Sequence, residues 1–537
     1  MEYLLTVIVL FPAIASIFIF LMGNNVAKPF GIIIALIEIC LVALLWALFD
    51  GSNPGFQFVQ NVHIITHLGI NYSIGVDGIS LFLIVLNAVI ILLSMFYLNQ
   101  PHGKNHYVVA LLWLETILMG LFSSLNMLLF YAFWELSLLP ILFIVGVWGT
   151  GDRIYAALKF FLYTFAASLI MLVAILYTAY LYKLQFGVWS FNIIDWYHLS
   201  LPFSVQIWLF LAFFISIAVK IPIIPFHTWL PYIYTDAPAI GSVILSATLL
   251  KMGTYALVRF SLPFFPDASY YFSLPIAILA LIMIVYGGFI AFRQKDMKMT
   301  IAYSSISHMG VAILGIFAFN VEGIGGSIFL MVGHGIVSGA LFFLVGMLWH
   351  RRHTRLVDEY SGIASVMPHY ASFFALIMLA NVGLPLTVGF VGEFLSLLGY
   401  FKTSPVITTI AGTTLIISAI YMLYLYKSVF FGKLKEGACS LLKDLSAREY
   451  WVLVPIAIIV IFLGIYPNAI LKPIENSTHS LITIMKERSV LESTRMHIEK
   501  VSLETFGPEA SNTTKEVAHA GSTTTSIAKN NIGASNE

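Results

Sequence analysis

The sequence predicts an all-α, polytopic membrane protein of about fourteen transmembrane helices, with two inverted five-helix repeats and two broken helices. Three observations predict it. Of the 537 residues, 60% are hydrophobic and only 10% are charged, against roughly 25% charged in soluble domains, too few to build a water-facing surface. The apolar residues fall in blocks of about twenty, the length that crosses a hydrocarbon core at ~1.5 Å per residue. Prolines interrupt two of the longest blocks.

Unpaired backbone groups are prohibitive in lipid, and the blocks lack the alternation of barrel strands, so each is read as a helix. The expected spans are 3–22, 30–49, 80–98, 107–122, 126–148, 155–182, 204–232, 238–260, 273–292, 298–320, 323–350, 370–402, 406–431 and 450–471. The first begins at Tyr3 without a basic leader or small-residue cleavage site, so a retained helix is expected rather than a signal peptide. The seventh and twelfth are too long for one straight crossing. Pro222 and Pro225 fall inside one and Pro385 inside the other. Proline removes a backbone donor and crowds the preceding turn, so both helices should break near mid-membrane.

Loop charges give an orientation. Loops after odd-numbered helices hold Lys28, Lys104, Arg153, Arg293, Lys295, Lys298, Arg351, Arg352, Arg355, Lys433, Lys435, Lys443 and Arg448; loops after even-numbered helices hold Lys183 and Lys402. That asymmetry places the odd loops in the cytoplasm and both ends of the helical core outside. Val219-Lys220-Ile221-Pro222 is echoed 163 residues later by Val382-Gly383-Leu384-Pro385. Each lies in the fourth helix of a five-helix group, 107–260 and 273–431. An odd helix count inverts the second group relative to the first, a common plan for ion-moving proteins. Residues 1–106 add three helices and an external loop, 50–79, holding His63, His67 and Asp77. After the last span, 450–471, residues 473–537 turn polar, and a largely disordered tail with a short helix near 477–500 is expected.

Some chemistry is excluded. Cys40 and Cys439 form no metal or redox spacing, and there is no Gly-rich nucleotide loop or cysteine cluster for iron–sulfur. No cofactor is expected in this chain, and a net charge of +1 gives no sign of nucleic acid. What stands out is ionisable side chains deep in apolar spans, which are costly and usually have a job. Glu115 and Glu135 lie centrally in the fourth and fifth helices. Lys220 precedes the first break, Lys251 is central in the eighth helix, Glu393 follows the second break, and His308 and His334 lie in the tenth and eleventh. All three residue types have an accessible neutral form, which arginine lacks, so the set can exchange protons through intervening water. Structural ion pairs or polar clamps between helices are the competing reading, and it weakens as the set grows. Glu38 reads as a helix contact. Arg259 and Lys427 read as snorkelling residues near helix ends. His63 and His67, four residues apart, could bind a metal on a helix, though no further ligand is near and exposed loop histidines are expected.

The same residues carry a resemblance. Phe226-His227-Thr228-Trp229-Leu230-Pro231, Gly241-Ser242-Val243-Ile244-Leu245 and Leu250-Lys251-Met252-Gly253 resemble the proton-conducting antiporter-like subunits of respiratory complex I. So do Asp296-Met297-Lys298, Ala302-Tyr303-Ser304-Ser305-Ile306-Ser307-His308-Met309-Gly310, Gly75-Val76-Asp77-Gly78-Ile79-Ser80 and Trp134-Glu135-Leu136. The resemblance covers roughly residues 1–475 and is closest to the M-type chains. It implies a glutamate–lysine pair at Glu135 and Lys220, a central lysine at Lys251, a terminal carboxylate at Glu393, and a further acidic site at Glu115. It also implies a proton-translocating subunit of an NADH (or ferredoxin):quinone oxidoreductase in the bacterial inner membrane. NAD(H) or ferredoxin, FMN, iron–sulfur clusters and quinone would then be held by partner subunits, with L-type and N-type chains as neighbours. Subunits of multi-subunit sodium/proton antiporters share most of these motifs, and Glu393 tilts the choice. The sequence departs from the family where Tyr232, Ile233 and Tyr234 replace Asp-Ala-His. Leu386 and Val388 also stand where Gly and Asn are common.

Overall fold

The structure, a computed structural model, describes residues 3–99, 103–435, 437 and 439–490. Among them, thirteen helices are long and apolar enough to cross a membrane. The chain opens with α1 (Leu4–Met22) and α2 (Asn24–Leu48), a hairpin of β1 (Gln57–Ile65) and β2 (Ile70–Val76), and then α3 (Gly78–Tyr97) and α4 (Lys104–Ser123). The fifth crossing is α5 (Met127–Leu136) and α6 (Leu138–Trp148), joined at Ser137; α7 (Arg153–Phe186) and the short α8 (Ile193–Trp196) follow. The chain continues through α9 (Phe203–Lys220), α10 (Trp229–Asp236), α11 (Ala239–Ile244), α12 (Leu250–Ala256), α13 (Leu262–Phe264) and α14 (Pro266–Tyr271). Next come α15 (Ser273–Arg293), α16 (Met297–Ile316), α17 (Val321–Arg352), α18 (Pro368–Val382) and α19 (Val388–Phe401). The described part ends with α20 (Pro405–Gly412), α21 (Thr414–Phe430), α22 (Ala447–Ile465) and α23 (Asn468–Arg488). The two apolar helices α18 and α19, too short to cross singly, occupy the twelfth expected span.

Side-chain caps fix where the inner helices start. Asp77 accepts from the N–H groups of Ile79 and Ser80, and the Ser80 hydroxyl returns a bond to complete a capping box on α3. Asn126 and Asp296 each accept from two N–H groups at the starts of α5 and α16, and Asn320 accepts from the Gly323 N–H at the start of α17. The centre of the bundle is α17 and the continuous run from α11 to α13, each buried throughout its most apolar stretch, with α16 nearly so. The rim turns large apolar residues outward, among them Leu21, Val173 and Trp208. That is the pattern of helices packed against lipid or neighbouring chains rather than water.

The interruptions have local causes. After Lys220 the chain turns through residues 221–228 before α10 begins. The carbonyl of Val219, left open by the missing turn, accepts the Trp229 indole N–H at 2.8 Å. Between α18 and α19, Gly383 has φ +84° and Leu386 has φ +71°. Only glycine adopts that left-handed region freely, and any other residue gives up about 1–2 kcal/mol there. Leu386 therefore departs from the family at the position where the backbone asks for glycine. Its side chain is largely exposed, so little packing would be lost on removing it. Leu386→Gly is expected to raise stability by about 1 kcal/mol, read as a higher melting temperature of the detergent-solubilised protein.

Four sequence expectations change here. The loop 50–79 is a β-hairpin rather than irregular chain or helix: His63 lies on β1, opposite Asn71, with its Nδ1 at 2.9 Å from the Asn71 side chain. No cluster of potential metal ligands exists among the described residues. Asp77 is buried, and so is Arg259, which does not snorkel but forms an ion pair with Asp77. The polar segment expected from 473 contains a helix that begins five residues earlier and runs to Arg488. Its apolar face, Ile470, Ile474, Leu481, Ile482 and Met485, is buried. It is pinned by the Gly78 N–H donating to Ser477 Oγ at 3.0 Å and by Arg488 donating to the carbonyl of Leu199 at 2.7 Å. Truncation near Ser480 would cut through this packed helix. Residues 491–537, the rest of the expected tail, lie outside the described residues.

Candidate functional site

The ionisable residues fall into three groups. The first surrounds the joint between α5 and α6. The Ser137 hydroxyl donates to the carbonyl of Trp134 at 2.7 Å, and Lys220 Nζ approaches Ser137 Oγ at 3.5 Å. The ammonium end of Lys220 lies over the rings of Trp134, at 5.2 Å, and Phe160, at 5.6 Å, close enough for cation–π attraction. Glu135 is on the same turn and acts on Lys220 through its charge. No ion-pair contact joins the two among the described residues.

The second group is a line across the middle of the molecule. Between α11 and α12 the chain makes a π turn at Leu245–Leu249, and the Leu250 N–H bonds the carbonyl of Leu245. In an α-helix it would bond Ser246 instead. The freed Ser246 carbonyl receives Lys251 Nζ at 2.5 Å, and the same Nζ lies 2.8 Å from His334 Nδ1. The His334 and His308 rings are 5.6 Å apart between centroids. His308 Nδ1 hydrogen-bonds Glu393 Oε1, and the other Glu393 oxygen rests against Gly383, at the second break. Lys251, His334, His308 and Glu393 are all buried. The structure thus connects four sequence-selected residues from α12, α17, α16 and α19 by direct contacts. A hydroxyl cluster, Tyr421 with Ser304 at 2.8 Å and Ser304 with Asn381 at 3.2 Å, adjoins the Glu393 end. No hydrogen bond joins Lys251 to Lys220 among the described residues. Even so, α12 lies directly on the first break, with no room for a side chain between Gly253 and Ile221.

The third group is Glu115 on α4 and Glu38 on α2. Both are fully buried, all four carboxylate oxygens lack a hydrogen-bond partner, and the two interact electrostatically. The sequence reading placed Glu38 as a mere helix contact and so missed that it faces Glu115. The signal available was the rarity of a glutamate in the middle of an apolar span. Sequence reasoning also missed Ser137, whose hydroxyl lies at Lys220, and Ser246, whose carbonyl holds Lys251 and whose hydroxyl accepts from Ser338. Serine in a transmembrane helix is too common to single out.

Residues 124–419 match the family described as NADH:quinone oxidoreductase/Mrp antiporter, transmembrane. The NADH-quinone oxidoreductase subunit M of Rickettsia prowazekii is 40% identical over 491 residues, covering 89% of this chain and 98% of that protein. The chain belongs to the NADH:quinone oxidoreductase/Mrp antiporter family. Its similarity to subunit M proteins places it with the M-type, antiporter-like chains of complex I, and it is an integral membrane protein. In the solved structure of respiratory complex I from Thermus thermophilus with bound NADH, one chain superposes with a TM-score of 0.83. The two are 29% identical, covering 90% of this chain and 99% of that one. A chain of the Mrp complex from Dietzia sp. DQ12-45-1b gives a TM-score of 0.78 at 16% identity, covering 90% of this chain and 99% of that chain, and so shares the fold. Against the family, the Tyr-Ile-Tyr departure is accommodated by contacts to the two tyrosine rings. The Tyr232 ring receives Lys159 Nζ at 4.1 Å from its centroid, and Tyr234 packs edge-on against Phe342.

Proposed function

We propose that the chain is the M-type proton-translocating membrane subunit of an NADH (or ferredoxin):quinone oxidoreductase, and that its buried Glu, Lys and His residues are the proton path. The observation that carries this reading is the line Lys251–His334–His308–Glu393, hydrogen-bonded at both ends and joined at its middle by the packing of the two histidine rings, in which every member can exist charged or neutral. Glu135 modulates Lys220, and Lys220 exchanges protons with Lys251 through water at the first break. His334 and His308 pass them on, and Glu393 releases them at the second break, where interrupted backbone can hold water. Glu115, with Glu38, supplies a further acidic site. Electron transfer, with NAD(H) or ferredoxin, FMN, iron–sulfur clusters and quinone, belongs to partner subunits, among them L-type and N-type chains. The membrane is the bacterial inner membrane, and the basic loops face the cytoplasm.

The relay is tested at Glu393. In the purified complex reconstituted in vesicles, Glu393→Gln is expected to lower quinone-linked proton uptake at least tenfold, while Glu393→Asp keeps a substantial part. Wild-type uptake by the Gln variant would remove Glu393 from the path. A sodium/proton antiporter assembly without redox partners is the other reading that the shared fold supports. Purifying the chain with its neighbours separates the two, since only the first brings quinone-reductase subunits.

A further inference from the structure

By sequence, Lys298 is one of the loop charges that orient the chain. In the structure it is buried, one residue into α16. Its Nζ donates to the carbonyl of Ala237 at 2.6 Å and to Ser242 Oγ at 2.9 Å. An ammonium has three hydrogens, so one remains for a further partner. Beside it lies a cavity of about 80 Å³, ample for several waters given the ~10–15 Å³ that one requires on this measure. The cavity is lined by buried Lys298 and Tyr97 and by His350, and it reaches the surface between Asn99, Thr150 and Arg355. Those three belong to loops after the third, fifth and eleventh helices, the side that carries the basic charges.

Two features separate Lys298 from a structural cation. Three arginines set into this protein hold a carboxylate, Arg259 with Asp77, Arg351 with Glu449 and Arg355 with Asp296, while Arg488 donates to the carbonyls of Pro263 and Leu199. The three buried lysines instead contact neutral groups: Ser137 for Lys220, Ser246 and His334 for Lys251, and Ala237 and Ser242 for Lys298. A fixed positive charge gains most from a fixed negative one, whereas a group that must alternate between charged and neutral forms is better held by neutral partners. Ser242 also leads inward. Ser246 lies one helical turn further on, roughly 5–6 Å away, a gap that one water spans. Ser246 Oγ accepts from Ser338 Oγ at 2.9 Å, and the Ser246 carbonyl holds Lys251.

We propose that Lys298 and its cavity form the inlet that loads Lys251 with protons from the side of the basic loops. The Lys298 ammonium passes one proton inward past Ser242 and Ser246 and, as the neutral amine, takes another from water in the cavity. The charged and titratable groups around it are Arg355, Asp296, Asp236, His350 and Tyr97, with Asp152 beyond Asp236. They set the pH range in which Lys298 works.

This inference rests on the relay through Lys251, and the test separates the two. Lys298→Arg keeps the charge and the bond to Ala237 but cannot become neutral. In the purified complex, reconstituted in vesicles, it is expected to lower quinone-linked proton uptake at least tenfold with assembly unchanged. Lys298→His restores a titratable group of lower intrinsic pKa, and its uptake should persist with a pH optimum shifted to the acid side by about one unit or more. A purely structural tie would leave that profile unmoved. Normal uptake by Lys298→Arg, a wild-type pH profile for Lys298→His, or loss of uptake in both variants would overturn the inlet. Glu393→Gln, assayed alongside, distinguishes the failures. If it is defective while Lys298→Arg is normal, only the inlet falls. If both are normal, the relay falls with it.

Discussion

Lys220→Arg is expected to assemble normally into its complex and to lose most quinone-linked proton transport, by tenfold or more. Lys220 sits at the last turn of α9, between the rings of Trp134 and Phe160 and within reach of Ser137. If it served only to pin α9 against the α5–α6 joint, a guanidinium could replace it, because arginine stacks on aromatic rings at least as well. If it relays protons it must pass through a neutral state, which arginine effectively cannot reach. In the proposed relay Glu135 is the switch. Unit charges ~7 Å apart at an effective dielectric of ~20 interact by about 2.4 kcal/mol, so a modest movement of α5 changes how firmly Lys220 keeps its proton. The measurement is proton uptake by reconstituted vesicles, with subunit composition checked on the same preparation. Near-normal uptake by an assembled Lys220→Arg variant would leave Lys220 as a clamp.

The largest effect on stability is expected at Asp77. Its carboxylate caps α3 through Ile79 and Ser80 at 3.1 Å and holds the Arg259 guanidinium. Arg259 is further enclosed by the rings of Phe56 and Tyr255, at 5.0 and 5.5 Å. Asparagine caps a helix about as well as aspartate, so Asp77→Asn isolates the charge. Removing one partner of a buried pair leaves the other uncompensated, a loss of about 3–5 kcal/mol. Asp77→Asn should therefore lower the melting temperature and the yield of assembled complex. The double variant Asp77→Asn with Arg259→Met should recover much of the loss, since no stranded charge remains. Equal stability of Asp77→Asn and the wild type would mean that water or a neighbour already compensates Arg259.

Why Arg259 was misread from sequence explains what else was hidden. Hydropathy and loop charge are properties of one segment at a time, and they located the thirteen helices long and apolar enough to cross a membrane among the described residues and singled out Lys220, Lys251, His308, His334 and Glu393. Partnership is a property of two segments. Arg259 near a helix end reads as a snorkelling residue until β2 delivers Asp77 beside it. Glu38 reads as isolated until α4 brings Glu115. Lys298 reads as a surface charge until α11 covers it. The hairpin was lost for another reason: the four-residue spacing of His63 and His67 fits a helix, and what makes 57–65 a strand is its pairing with 70–76. The π turns leave no mark in the residues Leu245–Leu249 or Leu257–Ser261, because they arise from how the helix is seated and not from propensity.

Those π turns also bear on how chain length is tolerated along this helix. Each is one residue wider than an α turn, so the stretch Ala239–Phe264 carries two surplus residues relative to a regular helix. Deleting a residue from Leu245–Leu249 would let the ladder close to ordinary spacing without rotating what lies on either side. Register would survive, but the regular ladder would reclaim the Ser246 carbonyl from Lys251. A deletion in the regular helix α16, between Met297 and Ser307, has no surplus to absorb it and would swing everything beyond by ~100°, carrying His308 away from Glu393. The same one-residue change is thus a local loss of function in a π turn and a global misalignment in a regular helix.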